Sequence, residues 1–328
     1  MKPPCFANKN TNKNLEWRFH TTKTKNYLRM KNKLFKIWMI VVLSGIVGGL
    51  NAQDLDKMLN EATDNSTNYT TATFKSTRIV NGHSIERMPA HQLDFRISHR
   101  FGQLNTGGHN LWGLDQAYIH FSLEYGITDW MMVGLGRGTF EKTYDGFVKF
   151  SVLRQSKGAR NMPISLSFLS SSSLNTLYPG EMGLAGKSVP YWSRFSYVNQ
   201  VLIARKFNDR FSLEINPTIV HRNLVPTELD PNDIAAVGGG FRYKLTKRIS
   251  FNAEYYYVVP PLHDYRSVKT YNPLSIGFDI ETGGHVFQLF LSNSEAMIEK
   301  GFIADTNSKW SNGGIHFGFN VSRVFAMK

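Results

Sequence analysis

From residue 91 to the C-terminus, apolar and polar side chains alternate with a period of two. Leu93, Phe95 and Ile97 are interleaved with Asp94, Arg96 and Ser98, and Ala117, Ile119, Phe121 and Leu123 with Tyr118, His120, Ser122 and Glu124. Successive side chains of an extended chain point to opposite faces, so each run predicts a strand with one greasy and one polar side. Twelve strands are predicted, over 91–101, 115–125, 130–138, 144–154, 162–172, 194–205, 210–221, 234–245, 249–259, 274–281, 286–293 and 315–325. The sixth breaks the alternation: Phe195 and Tyr197 lie on one register, Leu202 and Ala204 on the other, and a bulge or a displaced boundary is expected there.

The connectors between these strands alternate between long and short. Long loops on one side and tight turns on the other are the form of a bacterial outer-membrane barrel with both termini in the periplasm. One register is almost wholly apolar, as in Val148/Phe150/Val152, Phe211/Leu213/Ile215 and Leu274/Ile276/Phe278/Ile280. The other is polar or small, as in Ser212/Glu214/Asn216 and Ser250/Asn252/Glu254, poor material for a dry core and suited to a hydrated lumen. About 11 residues at ~3.3 Å rise, tilted by roughly 40°, project to about 28 Å, enough for the apolar band of a bilayer. Closure follows, because an open sheet edge would leave unpaired backbone groups in hydrocarbon. The predicted fold is all-β: a closed antiparallel transmembrane β-barrel of about twelve strands over 91–328, with short periplasmic turns and long extracellular loops.

Composition changes the picture mainly at the N-terminus. The net charge is +13, but residues 1–52 hold ten Lys/Arg against Glu16 alone, so little excess is left for the rest of the chain. No basic patch for nucleic acid is expected. From Met30, read as the true start, Lys31, Lys33 and Lys36 precede the apolar stretch 37–50 and Leu50-Asn51-Ala52, which predicts an export signal with cleavage between Ala52 and Gln53. The only cysteine, Cys5, lies in this leader, so the exported chain has no thiol. Residues 53–90 read as a polar periplasmic arm or a plug for the lumen, with Phe74 to Val80 as its most apolar part.

The segments RMPAHQLDFRISHRFG (87–102), LEYGITDWMMVGLGR (123–137), TYDGFVKFSVLRQ (143–155) and GFNVSRVF (318–325) resemble a family of outer-membrane β-barrel proteins of unknown function. The resemblance runs from about Phe74 to the C-terminus. It implies a barrel, export and the cell outer membrane, and brings no activity and no site residues. The last strand also resembles the signal read by the barrel-assembly machinery, although Ala326-Met327-Lys328 follow the aromatic Phe325.

Candidate chemistry is confined to the polar register. Arg96, Arg100, Lys149, Arg242 and Lys244 face inward with Asp94, Glu124, Glu214, Glu254, Asp279 and Glu281, and these nearly cancelling charges favour cross-lumen salt bridges over a selective ring of one sign. Arg242 with Glu214 is the preferred pair. His120, Glu124 and His316 come within reach of one another if the first and last strands close the barrel, but no metal-ligand spacing accompanies them, and neither a metal nor another cofactor is expected. Gly134-x-Gly136-x-Gly138 lacks the following helix of a phosphate loop, so its glycines, like Gly238-Gly239-Gly240, relieve crowding inside the barrel.

Three functions fit. The first is a porin-like channel or structural barrel for small solutes, with outer-membrane lipid around it and no catalytic chemistry. The second is a lipid hydrolase, for which Ser98/His99 is the nearest Ser–His candidate. The third is a binding or adhesion barrel acting through the loops 173–193 and 294–314.

Overall fold

The computed structural model describes residues 66–228, 230–259 and 268–327. The leader, the Ala52–Gln53 junction and the first part of the arm lie outside them. Twelve strands form one closed barrel: β1 Gln92–Gln103, β2 Ala117–Thr128, β3 Met131–Gly138, β4 Tyr144–Leu153, β5 Ser165–Leu174, β6 Phe195–Lys206, β7 Phe211–Arg222, β8 Asp233–Lys244, β9 Ile249–Val258, β10 Leu274–Thr282, β11 His285–Ser292 and β12 His316–Ala326. Each pairs antiparallel with its neighbours in sequence. β12 returns to β1 with Phe319 opposite His99 and Phe325 opposite Leu93, which leaves no edge.

The two faces are those of the period-two pattern. Phe121, Leu135, Val152, Phe168, Ile219, Tyr257 and Phe278 are exposed on the outside, while Asp94, Arg96, Glu124, Glu214, Asn252 and Asp279 are buried inside. An apolar exterior around a polar interior inverts a soluble fold and matches a barrel solvated by lipid. At the short-turn end the rings of Phe207, Phe211, Phe241, Phe251 and Phe278 run in sequence with centroids 5.4–6.2 Å apart, an aromatic belt of the interfacial kind.

Two expectations are corrected here. β6 carries no register shift: it pairs in one register with β5 and β7, and Val198, Leu202 and Ala204 face inward because apolar groups inside the barrel meet them. The connector 154–164 is not a tight turn. Its Ser156–Gly158 pairs antiparallel with Thr67–Tyr69 in a two-stranded ribbon outside the barrel.

Candidate functional site

The lumen is filled from both ends by the protein's own chain. From the short-turn end, Thr73–Ile85 enters as a hairpin and is almost entirely buried. Its two legs are tied by Ser84 N donating to Thr77 O at 2.9 Å and Ile79 N donating to Gly82 O at 2.8 Å, with Val80 and Asn81 at the tip. Asn81 and Gly82 supply the small turn residues such a reversal needs. Gly82 lies so close to the Tyr256 hydroxyl that an added Cβ would overlap it. Gly238 on β8 makes room in the same way for the Tyr256 ring, and Gly134 for that of Phe147, so the glycine runs serve packing within strands.

A hairpin taken out of water must have its backbone groups satisfied, and the inward charges of the wall do this. The Glu254 carboxylate accepts three amides, from Val80 at 3.1 Å, Asn81 at 2.8 Å and Gly82 at 3.0 Å. Glu214 accepts the Ile85 amide at 2.6 Å. Carbonyls are met equally: Lys149 donates to Ser84 at 3.0 Å and Glu86 at 2.9 Å, Gln288 to Ile79 at 3.0 Å, Asn320 to Val80 at 3.0 Å, and Arg242 to Ala72 at 3.0 Å. Arg96 reaches the hydroxyls of Ser76 and Thr77, Arg100 bonds the Asn81 side chain, and Thr77 donates to Glu124 at 2.5 Å. Phe74, Ile79, Val80 and Ile85 form an apolar cluster with Leu202, Ala204 and Phe290 of the wall. Bonds to charged partners are the stronger class, and here most serve the hairpin.

This geometry overturns the expected cross-lumen pairing. Arg242 stands opposite Ser212 and bonds the Ser250 hydroxyl and the hairpin's entry, not Glu214. His120 lies 2.7 Å from Asp145, while His316 bonds the Phe101 carbonyl at 2.8 Å, so the expected grouping with Glu124 does not form. Asp279 accepts from Gln288 at 2.9 Å. Lys244 and Glu281 lie at the short-turn rim and are partly exposed, with Glu281 paired to Lys75 of the hairpin. Ser98 points inward and His99 outward, stacked on Phe319 at 5.0 Å, so the two do not form a Ser–His pair. Among the described residues no group of three or more His, Cys, Asp or Glu is placed to hold a metal.

From the loop end, the β11–β12 connector does not extend outward as expected for 294–314. Residues 293–304 are buried in the lumen except for the half-buried Glu295 and Lys300, and they contain a short helix, α1, Glu299–Ala304. Phe302, Ile303 and Ala304 pack on inward apolar residues of β6 to β9, among them Val198, Val220, Ile234 and Tyr256. Glu299 at the start of α1 holds Arg78 of the hairpin at 2.6 Å, so the two obstructions are joined by a buried ion pair. Cavities left between hairpin, α1 and wall measure about 10 Å³ each, room for one water at most. Removing the charge in Glu299→Gln leaves Arg78 without its nearest counter-ion, a loss of roughly 1.5–3 kcal/mol for a bond between charged groups. Trypsin cleavage after Arg78 in the folded barrel is expected to accelerate about tenfold or more over wild type.

The arm and the β11–β12 connector hold what the period-two pattern did not reveal, namely Arg78, Gly82, Glu299 and α1. Two signals were present: an Asn-Gly dipeptide directly after the apolar pair Ile79-Val80, and Ala296-Met297-Ile298 with Phe302-Ile303-Ala304 in a segment otherwise expected in water.

A closed barrel with a lipid-facing exterior and a lumen packed with its own polypeptide is a membrane β-barrel of the outer-membrane type. Residues 74–325 match the family described as a membrane bound beta barrel domain (DUF5777), and the chain belongs to that family. Among solved structures it is similar to the NanC porin (10% identity, 70% of this chain and 98% of that one, TM-score 0.43). It is also similar to the COG4313 outer-membrane channel from Pseudomonas putida F1 (10% identity, 74% and 98%, TM-score 0.40). A third is the outer-membrane phospholipase A from Escherichia coli (13% identity, 70% and 92%, TM-score 0.39). No curated protein matches the chain.

Proposed function

We propose that this protein is a gated porin-like barrel, which passes small solutes across the outer membrane and is held shut at rest by the hairpin and the α1 segment. The observation that carries this reading is the Glu254 carboxylate on three successive hairpin amides. Any buried filler needs its backbone satisfied, but here the partners are wall side chains and not neighbouring strands. A segment bound in this way exchanges each bond for one to water on leaving, at a net cost of only about 0.5–1.5 kcal/mol per bond, which favours release over a permanent seat. On the same reading, outer-membrane lipid surrounds the apolar belt and the barrel-assembly machinery reads β12. The hydrolase reading has no comparable support, given the opposed faces of Ser98 and His99.

His83 makes the resting state sensitive to pH. Its ring is buried edge-on to Phe147, with centroids 4.4 Å apart. Burial, with the charges of Arg78, Lys149 and Arg96, holds it well below its ordinary value of 6.5; a Thr77 backbone contact opposes only weakly. Glu299 at 3.7 Å is already engaged by Arg78. The seated hairpin therefore keeps His83 neutral, whereas a released hairpin protonates it below about pH 6.5. Release is favoured as pH falls, by up to about tenfold per unit for this one proton.

Planar-bilayer recording of the full chain tests both points. Long silent periods with discrete openings, more frequent from pH 7 to pH 5 and with a shallower pH dependence in His83→Gln, are the expected result. A steady open conductance at pH 7, or silence at every pH and voltage, contradicts the gated reading.

A further inference from the structure

At the loop end, between α1 and the connectors after β5 and β7, lies a cavity of about 350 Å³, the size of a small-ligand pocket. Three cations line it. Lys300 of α1 is matched by Glu141 at 2.9 Å and Asp305 at 2.8 Å, and Arg222 by Asp305 at 2.9 Å. The third acid on the wall, Glu181, is neutralised from outside by Lys142 at 2.7 Å. Arg194 has no such carboxylate partner among the described residues: it donates to the carbonyls of Val189 and Leu177 and lies over the Tyr191 ring, 4.6 Å from its centroid.

One positive charge is thus left without a counter-ion. Burial alone would lower the Lys300 ammonium, but Asp305 and Glu141 outweigh it, so the lysine stays charged and the two acids stay occupied. Leu177, Leu184, Leu224 and Val225 supply an apolar side to the same space. We infer that this cavity binds a small organic monoanion, its carboxylate on Arg194 and its apolar body against Leu224 and Val225. A planar carboxylate suits guanidinium forks, and an uncharged analogue leaves Arg194 uncompensated.

The inference deepens the gated-barrel reading by naming a solute class, and it also suggests how a solute reaches the gate. Lys300 and Glu299 are neighbours on α1; one faces the cavity and the other holds Arg78 of the hairpin.

The test is isothermal titration of the detergent-purified full chain at pH 7 with benzoate, using benzyl alcohol and benzylamine as uncharged and cationic matches. Saturable one-to-one binding of benzoate alone, weakened at least tenfold in Arg194→Gln and in Leu224→Trp, is expected. Leu224→Trp fills the apolar side without touching either arginine, and decides the matter if Arg194→Gln fails to yield a heat-modifiable barrel. Absence of saturable benzoate binding, equal binding of all three probes, or unchanged affinity in Leu224→Trp overturns the inference. None of these readouts involves conductance, so the site can fail while the gated barrel stands, and the reverse.

Discussion

Removing both the hairpin and the inward loop is expected to turn a mostly silent barrel into a steadily conducting one, while removing either alone is not. The hairpin 73–86 and the segment 294–305, each replaced by a short Gly-Ser linker, are the changes to make. The two obstructions lie one above the other along the lumen and are joined by Arg78 and Glu299, so losing one loosens the other: each single variant opens more often than wild type but still closes, and only the double variant conducts steadily. Twelve strands enclose a bore between the filled eight-stranded barrels and the open sixteen-stranded porins, wide enough to conduct once emptied. Stability falls as well. Val198, Val220, Ile234 and Tyr256 lose their cover from α1, and each large apolar side chain given back to water costs about 1.5–3 kcal/mol. The double variant is therefore expected to melt well below wild type in the same detergent, with its barrel still heat-modifiable. Equal conductance in the double variant and wild type would contradict the assignment of these segments as the obstruction.

The second large effect is expected at a single carboxylate. Glu254→Ala leaves the amides of Val80, Asn81 and Gly82 without their acceptor in a buried site, at about 1–3 kcal/mol for each unsatisfied group. Some of this is recovered by water entering the space left behind, so a net loss of roughly 3–4 kcal/mol is reasonable for the seated hairpin. That corresponds to a rise of about 10² to 10³ in the ratio of released to seated forms. It is read as faster trypsin cleavage at Lys75, Arg78 and Arg87 and as more frequent openings. Ser212→Ala, equally buried on the inner wall and without a hydrogen bond from its side chain to the hairpin among the described residues, is the matched control and is expected to change neither.

How much of this was legible in the sequence follows from what period-two alternation encodes. It reports which side of a strand meets lipid, and the twelve strands, their order and the polar inner face are all of that kind. It does not report what the inner face touches. Glu214 and Arg242 are both inward and near the same end, which made a salt bridge between them reasonable; the hairpin entering between them takes one for the Ile85 amide and the other for the Ala72 carbonyl. β6 shows the same limit. Leu202 and Ala204 looked like a fault in the pattern because a hydrated lumen was assumed, and they are regular inward positions once Phe74 and Ile79 are there to cover them. The connector after β11 was read as an external loop from its length alone. Its apolar residues marked it for burial, but a six-residue helix containing Gly301 carries too little periodicity to show where it docks.

If the segment that closes the lumen also leaves it, tethering its tip must silence the barrel, and the absence of cysteine after Cys5 allows a direct test. The Asn81 side chain at the hairpin tip lies 2.9 Å from the Ser275 hydroxyl on β10. The double variant Asn81→Cys/Ser275→Cys, oxidised and recorded in a planar bilayer at pH 5, is predicted to be silent and to recover discrete openings when a reductant is added. Openings of undiminished frequency in the cross-linked protein would contradict the account.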